Sequence, residues 1–108
     1  MGKFIIKQTS NGQYRFNLNA DNGQVILTSE FYTSKAGCQK GIDSTKSNAL
    51  NDGNYDRLMS GNSKYYFNLK ASNGEIIGTS EMYETNSGRE NGIGSVKSNA
   101  AGASVVEE

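Results

Sequence analysis

Apolar and polar residues alternate through Tyr14, Phe16, Leu18 and Ala20, with Arg15, Asn17 and Asn19 between them, which is the period of a strand buried on one face. Asn22-Gly23 follows. That pair favours a two-residue type I′ turn, because the turn needs positive φ at both central positions. A return strand in that register sets Ala20 opposite Val25, Leu18 opposite Leu27 and Phe16 opposite Ser29 on the apolar face. Asn19 with Ile26, Asn17 with Thr28 and Arg15 with Glu30 fall on the other face. Beyond the hairpin the period becomes helical: Ser34 is a candidate N-cap, and Cys38, Ile42, Thr45 and Ala49 form a narrow apolar stripe. Gly37 and Gly41 lie four apart beside that stripe. Each interior glycine costs a helix about 1 kcal/mol against alanine, so packing must stabilise this helix. Its small residues predict a close approach to the sheet.

The same pattern is written twice. Residues 14–49 laid over 65–100, at an offset of 51 and without a gap, agree at 20 of 36 positions. The second copy turns at Asn73-Gly74 and sets Leu69 opposite Gly78, Asn68 opposite Thr79 and Tyr66 opposite Glu81. Its helix starts after Thr85 and carries Arg89, Ile93, Val96 and Ala100 on the stripe, with Gly88 and Gly92 beside it. Phe4 falls on Tyr55, and Tyr55 on Val106, so short strands are expected at Phe4–Lys7, Tyr55–Met59 and Ser104–Glu107, the second entered by a turn at Asn51-Asp52-Gly53-Asn54. One copy would bury too little apolar surface to fold alone. The pattern therefore predicts an α+β fold of two tandem βββα repeats sharing one antiparallel sheet, with both helices on one face and a terminal strand exchanged between halves. Residues 1–108 form one domain: repeat 1 at 1–51, repeat 2 at 52–102, and a closing strand at 103–108, which takes the role that the linking strand has for the first copy.

Composition narrows the function classes. Ile, Leu, Val and Phe make up only 20 of 108 residues, a level associated with disorder when net charge is large, but 11 basic residues balance 11 acidic ones. The periodic placement of these residues makes a lean folded core the reading. With no His and a single Cys38, common zinc sites, Ser-His and Cys-His machinery and disulfide frameworks are excluded. The longest apolar run is three residues, too short for a membrane span or signal-peptide core, so a cytoplasmic protein is expected. Zero net charge supplies no long-range attraction for phosphate backbones.

The run Tyr65-Tyr66-Phe67-Asn68-Leu69-Lys70-Ala71-Ser72-Asn73-Gly74, then Ile77-Gly78-Thr79-Ser80-Glu81-Met82-Tyr83, then Glu90-Asn91-Gly92-Ile93-Gly94-Ser95-Val96-Lys97-Ser98-Asn99-Ala100 resembles the YegP-like family of uncharacterised bacterial proteins. Tyr14 to Glu30 and Gly41 to Ala49 carry the matching first copy. The resemblance implies β3-α-β units joined in a single sheet with exchanged terminal strands, and it implies no established activity.

Two polar features are candidates for function. The repeated Thr28-Ser29-Glu30-Phe31-Tyr32 and Thr79-Ser80-Glu81-Met82-Tyr83 segments offer Glu30 and Glu81 as a pseudo-symmetric carboxylate pair, able to share a proton or bind a cation if the halves bring them together. The structural alternative pairs Glu30 with Arg15 across the strands. Secondly, Arg15, Asn17, Asn19, Thr28, Tyr66, Asn68, Lys70 and Thr79 share the sheet face away from the helices. With Glu30 and Glu81 they form the candidate interaction face. Such a face could stack nucleic-acid bases, but Tyr66 is the one aromatic clearly on it and no charge excess accompanies it. Lys46 and Lys97 complement helix C-termini, and Gly92-Ile93-Gly94 lies inside a helix rather than at a strand-to-helix turn, so it is no dinucleotide fingerprint. Cys38 corresponds to Arg89 in the other repeat, which predicts a half-exposed boundary thiol without catalytic role. The expectation is a small non-enzymatic binding or interaction module with no catalytic, cofactor or metal residues, a protein partner, no membrane, and a monomer that is an internal pseudo-dimer. Weak nucleic-acid binding through the polar face, and a ligand or catalytic site at Glu30/Glu81, are the alternatives.

Overall fold

The fold is taken from a computed structural model, which describes residues 2–108. Its strands are β1 (Lys3–Gln8), β2 (Tyr14–Asn19), β3 (Val25–Ser29), β4 (Tyr55–Met59), β5 (Tyr65–Lys70), β6 (Ile76–Thr79) and β7 (Ser104–Glu107). Helices α1 (Lys35–Asn48) and α2 (Asn86–Asn99) follow β3 and β6, and a 3-10 turn at Asp52–Asn54 leads into β4. All seven strands form one sheet in the order β4-β5-β6-β3-β2-β1-β7. The repeats meet at β3 and β6, which run antiparallel with Thr28 opposite Thr79. The radius of gyration is 13.1 Å, the size of one compact domain of this length.

Each helix is started by its predicted cap: Ser34 Oγ accepts from Gly37 N at 3.0 Å and Thr85 Oγ1 from Gly88 N at 2.9 Å. Strand and helix stripes close on one another in a single core. Phe4, Phe16, Leu18, Phe67 and Leu69 come from the sheet, and Ile42, Thr45, Ile93 and Val96 from the helices. Burying a side chain of this size is worth about 1.5–3 kcal/mol, so a core assembled from both repeats supplies what one repeat lacks. The axis between them is crowded. Leu27 is fully buried there, and its repeat partner is Gly78, where a Cβ would stand 2.8 Å from Thr28 O and 3.0 Å from Leu27 Cγ.

The hairpin turns differ from the predicted type I′. Only the glycine has positive φ (Gly23 at 85°, Gly74 at 88°), and Gly23 N donates to Ala20 O while Ala20 N donates to Gln24 O. This is a three-residue loop ending in a left-handed glycine. A bulge then follows: Leu18 remains opposite Leu27, but Asn19 faces Val25, and in the second copy Leu69 faces Gly78 while Lys70 faces Ile76. The extra residues, Ile26 and Ile77, are thereby turned into the core at 5% and 4% exposure. The predicted pairs Asn19–Ile26 and Ala20–Val25 do not form.

The terminal strands also depart from expectation. β7 pairs with β1 in parallel, Phe4 opposite Val105 and Ile5 opposite Val106, which makes the sheet mixed and carries the end of the second repeat to the first. β4 has a different role, pairing antiparallel with β5 of its own repeat. The segment after α1 is used at once as the first strand of repeat 2, so among the described residues no counterpart of β7 lies along the outer edge of β4.

Candidate interaction face and its flanking clefts

The sheet face opposite the helices carries a polar row across the repeat junction. Asn17, Thr28, Thr79 and Asn68 are neighbours in register, and Thr79 Oγ1 donates to Asn68 Oδ1 at 2.8 Å. On the other side of the axis Asn17 Oδ1 is shielded without a partner among the described residues, as is Asn19 Oδ1. Lys70 reaches across the face to β4, pairing at 3.0 Å with Asp56, which stands opposite Asn68, and Tyr66 sits opposite Leu58 rather than Glu81. Arg15 does not pair with Glu30. Its guanidinium lies over the ring of Phe31 at 5.8 Å, which places Phe31 on this side. Phe31 and its repeat partner Met82 are 56% and 53% exposed. Reading the sequence for polar candidates passed over both. The available signal was a large apolar residue at the same variable position of the two Thr-Ser-Glu-x-Tyr segments.

The remaining residues of those segments have structural explanations, save one. Ser29 Oγ accepts from Phe16 N at 2.9 Å and donates to Glu30 O; Ser80 repeats this with Phe67 N at 3.0 Å and Glu81 O. The serine hydroxyl thus replaces a ladder bond where the strand leaves its neighbour, which is why Arg15–Glu30 and Tyr66–Glu81 pairing fails. Tyr32 and Tyr83 lie across the helix glycines: a Cβ at Gly41 would stand 2.2 Å from Tyr32 Oη, and one at Gly92 2.3 Å from Tyr83 Oη. The close approach that these glycines permit is to the tyrosine rings. Burial raises both phenols above their usual pKa, with Cys38, Glu30 and Glu75 adding to this at Tyr32 and Glu81 at Tyr83.

Glu30 and Glu81 are exposed and make no ion pair or side-chain hydrogen bond among the described residues. They are not brought together. Glu30 N donates to Ile77 O, so antiparallel pairing puts Glu30 four residues from Glu81, about 13 Å along the strands. The shared-proton or shared-cation reading of this pair is overturned by that separation. Each carboxylate instead stands at a cleft between the helix of its own repeat and the hairpin tip of the other. Glu30, Tyr32, Gly41 and Ser44 face Ala71 and Ile77 around a cleft of about 640 Å³. Glu81, Tyr83, Gly92 and Ser95 face Ala20 and Ile26 across two adjoining hollows of about 380 and 280 Å³.

Cys38 is completely buried, not half-exposed, and desolvation raises its thiol pKa. Arg89, at the equivalent place in α2, is also largely covered, its side chain 12% exposed; it donates to Leu58 O at 3.0 Å and lies over Tyr65 at 5.1 Å. Lys46 and Lys97 lie over the rings of Phe4 and Tyr55 at 5.8 and 5.7 Å, so cation–π contact joins the helix-end charge effect.

Fold and face together define a two-repeat α+β protein built around a single seven-stranded sheet with one bare side. The chain belongs to the family described as "Domain of unknown function (DUF1508)", which matches residues 9–56 and again 60–107. It is 50% identical over 106 residues to the UPF0339 protein YegP of Shigella flexneri, covering 98% of this chain and 96% of the relative. It is 52% identical over 107 residues to a UPF0339 protein of Bordetella pertussis, covering 99% and 96%. Among solved structures, the solution NMR structure of yegP from E. coli, a protein of unknown function, matches with a TM-score of 0.94 at 48% identity, over 99% of this chain and 92% of that one. The solution NMR structure of a UPF0339 protein from Shewanella oneidensis matches with a TM-score of 0.93 at 44% identity, over 98% and 90%. No helix among the described residues is long and apolar enough to cross a membrane.

Proposed function

We propose that the protein is a small non-enzymatic module that binds another protein through the bare face of its sheet. The observation that carries this reading is the placement of Phe31 and Met82, each more than half exposed, at equivalent positions on either side of the Asn17–Thr28–Thr79–Asn68 row. A polar centre flanked by exposed large apolar groups is the composition of a protein contact surface. Ile5 and Val106, paired on β1 and β7, extend the apolar margin. The module acts as a cytoplasmic monomer. Both repeats are consumed in one sheet, and its single buried thiol suits a reducing compartment.

The test is capture from lysate by the immobilised full chain, run beside the Phe31→Ser/Met82→Ser variant. A partner retained by the wild type and lost from the variant, with unchanged thermal unfolding, supports the reading; equal capture by both overturns it. Arg15 over Phe31, with Tyr66 on the same face, favours nucleic acid as a second reading. A gel shift with single-stranded nucleic acid at low salt that is lost in the same variant would transfer the face to that ligand.

A further inference from the structure

The two clefts carry an inference independent of the bare face. Of the 11 residues around the first cleft, 8 recur unchanged one repeat away, Glu30, Tyr32 and Ser44 matching Glu81, Tyr83 and Ser95. Packing accounts for the glycines and isoleucines among them. It does not account for Glu30 and Glu81, which are exposed and without an ion pair among the described residues. The three positions that differ preserve the charge. Lys40 and Glu75 in the first cleft become Asn91 and Gln24 around the second, while Ile76 becomes Val25. A cation and an anion are exchanged for two neutral amides, so each cleft keeps one uncompensated carboxylate.

The walls define what that carboxylate can hold. One side is aliphatic, with Ile76 and Ile77 in the first cleft and Val25 and Ile26 in the second. Tyr32 and Tyr83 add phenol oxygens that have no hydrogen-bond partner among the described residues, and whose raised pKa keeps them protonated and uncharged. A bare metal ion would find Glu30 and Glu75 beside the Lys40 ammonium in the first cleft and Glu81 alone in the second, too few hard ligands in either. A ligand with a short alkyl stem and a cationic, hydrogen-bond-donating head meets the aliphatic wall, the phenol oxygen and the carboxylate at once. We propose that the molecule has two pseudo-symmetric alkylammonium sites, Glu30 with Tyr32 in one and Glu81 with Tyr83 in the other, each completed by the hairpin of the opposite repeat. The same head is carried by free aliphatic amines and by lysine side chains.

The probe is n-butylammonium chloride titrated into the ¹⁵N-labelled full chain, with sodium chloride at matched ionic strength as control. Two sets of saturable amide shifts are expected, one at Gly37, Gly41 and Ile77 and the other at Gly88, Gly92 and Ile26. Glu30→Gln should weaken only the first by about tenfold and Glu81→Gln only the second, the scale of a lost charge-assisted hydrogen bond. Both are exposed positions, so the fold is retained and the unaltered cleft serves as internal control. Putrescine and Nα-acetyl-lysine amide then separate the sources: tighter binding of the first identifies a free amine, and of the second a lysine side chain. Shifts no larger than those with sodium, or shifts that survive both substitutions, would overturn the proposal.

Discussion

Ile6 and Cys38 are sealed beneath the β1 flank of the sheet, whereas the residues 51 positions later, Arg57 and Arg89, place guanidinium groups at the β4 flank. Arg57 donates to Glu90 at 2.8 Å and to Asp52 at 2.9 Å, and Lys97 adds a second contact to Asp52 at 3.0 Å. The difference follows from one topological fact: β7 covers the outer edge of β1, whereas no strand among the described residues covers the outer edge of β4. An uncovered strand edge invites pairing with other chains, and an inward-pointing charge with charged neighbours discourages it. The repeats have therefore stayed alike where both must pack, and have diverged where only one is covered. The same logic holds at the axis, where two equivalent side chains would occupy one space: Leu27 fills it and Gly78 leaves it open.

That axis is the place to break the comparison with the largest effect. Leu27→Gly empties a fully buried site and should cost about 3–5 kcal/mol. Gly78→Leu alone overfills it, against Thr28 O and Leu27, and should cost about 1–3 kcal/mol. If the repeats are equivalent there, the exchange Leu27→Gly/Gly78→Leu moves the same side chain across the axis, and the double variant recovers at least about 2 kcal/mol relative to the sum of the singles. Urea unfolding of the three variants measures this. Additive costs would show that the two sides of the junction are not interchangeable.

Much of this architecture was legible because it rests on local signals repeated twice. Alternation at Tyr14–Ala20, the caps Ser34 and Thr85, and the extents of β4 and β7 all agree with the structure. The Asn-Gly loops were legible as turns but not in type, since a left-handed Gly23 satisfies both a two-residue and a three-residue loop. That one-residue ambiguity is what hid the bulge, and with it the burial of Ile26 and Ile77. The direction of β7 and the burial of Cys38 depend on contacts between chain ends, for which no local residue pattern exists. At the candidate site, the polar row was readable from strand parity. The separation of Glu30 from Glu81 was not, because it depends on which strands join the repeats.

Removing residues 104–108 should make the β1 flank resemble the β4 flank without its arginines. Loss of one side of the ladder and of the Val105 cover beside Ile42 should cost about 2–3 kcal/mol. The ion pairs Lys35–Glu107 and Lys7–Glu108 are exposed and contribute little of this. The specific readout is Cys38. A thiol reagent should label it only on global unfolding in the intact chain, and markedly faster in the shortened one. Concentration-dependent association on size exclusion should accompany the faster labelling, since β1 would then be an uncovered edge. Unchanged Cys38 protection would mean that α1 and the sheet seal this flank without β7.

The smallest effect belongs to the other flank, and its sign is fixed by Asp52. Hydrogen bonds from Arg57, then from Lys97, hold its carboxyl pKa down to about 2, against about 3.9 for an aspartate in an unfolded chain. A folded-state pKa below the unfolded one means that the contribution is complete above about pH 4, declines as pH falls toward 2, and is gone below that. Asp52→Asn should therefore be slightly less stable than the wild type at about pH 5, with the two denaturation midpoints converging as pH drops through this window. The Asp52 side chain is 60% exposed, so solvent and salt screen the interaction, and about 1 M salt should bring the midpoints together at about pH 5 as well. A gap that persists at acid pH would assign Asp52 to shaping the Asp52–Asn54 turn rather than to closing the β4 edge by charge. Closing of the β4 edge by charge would then rest on the Arg57–Glu90 pair alone.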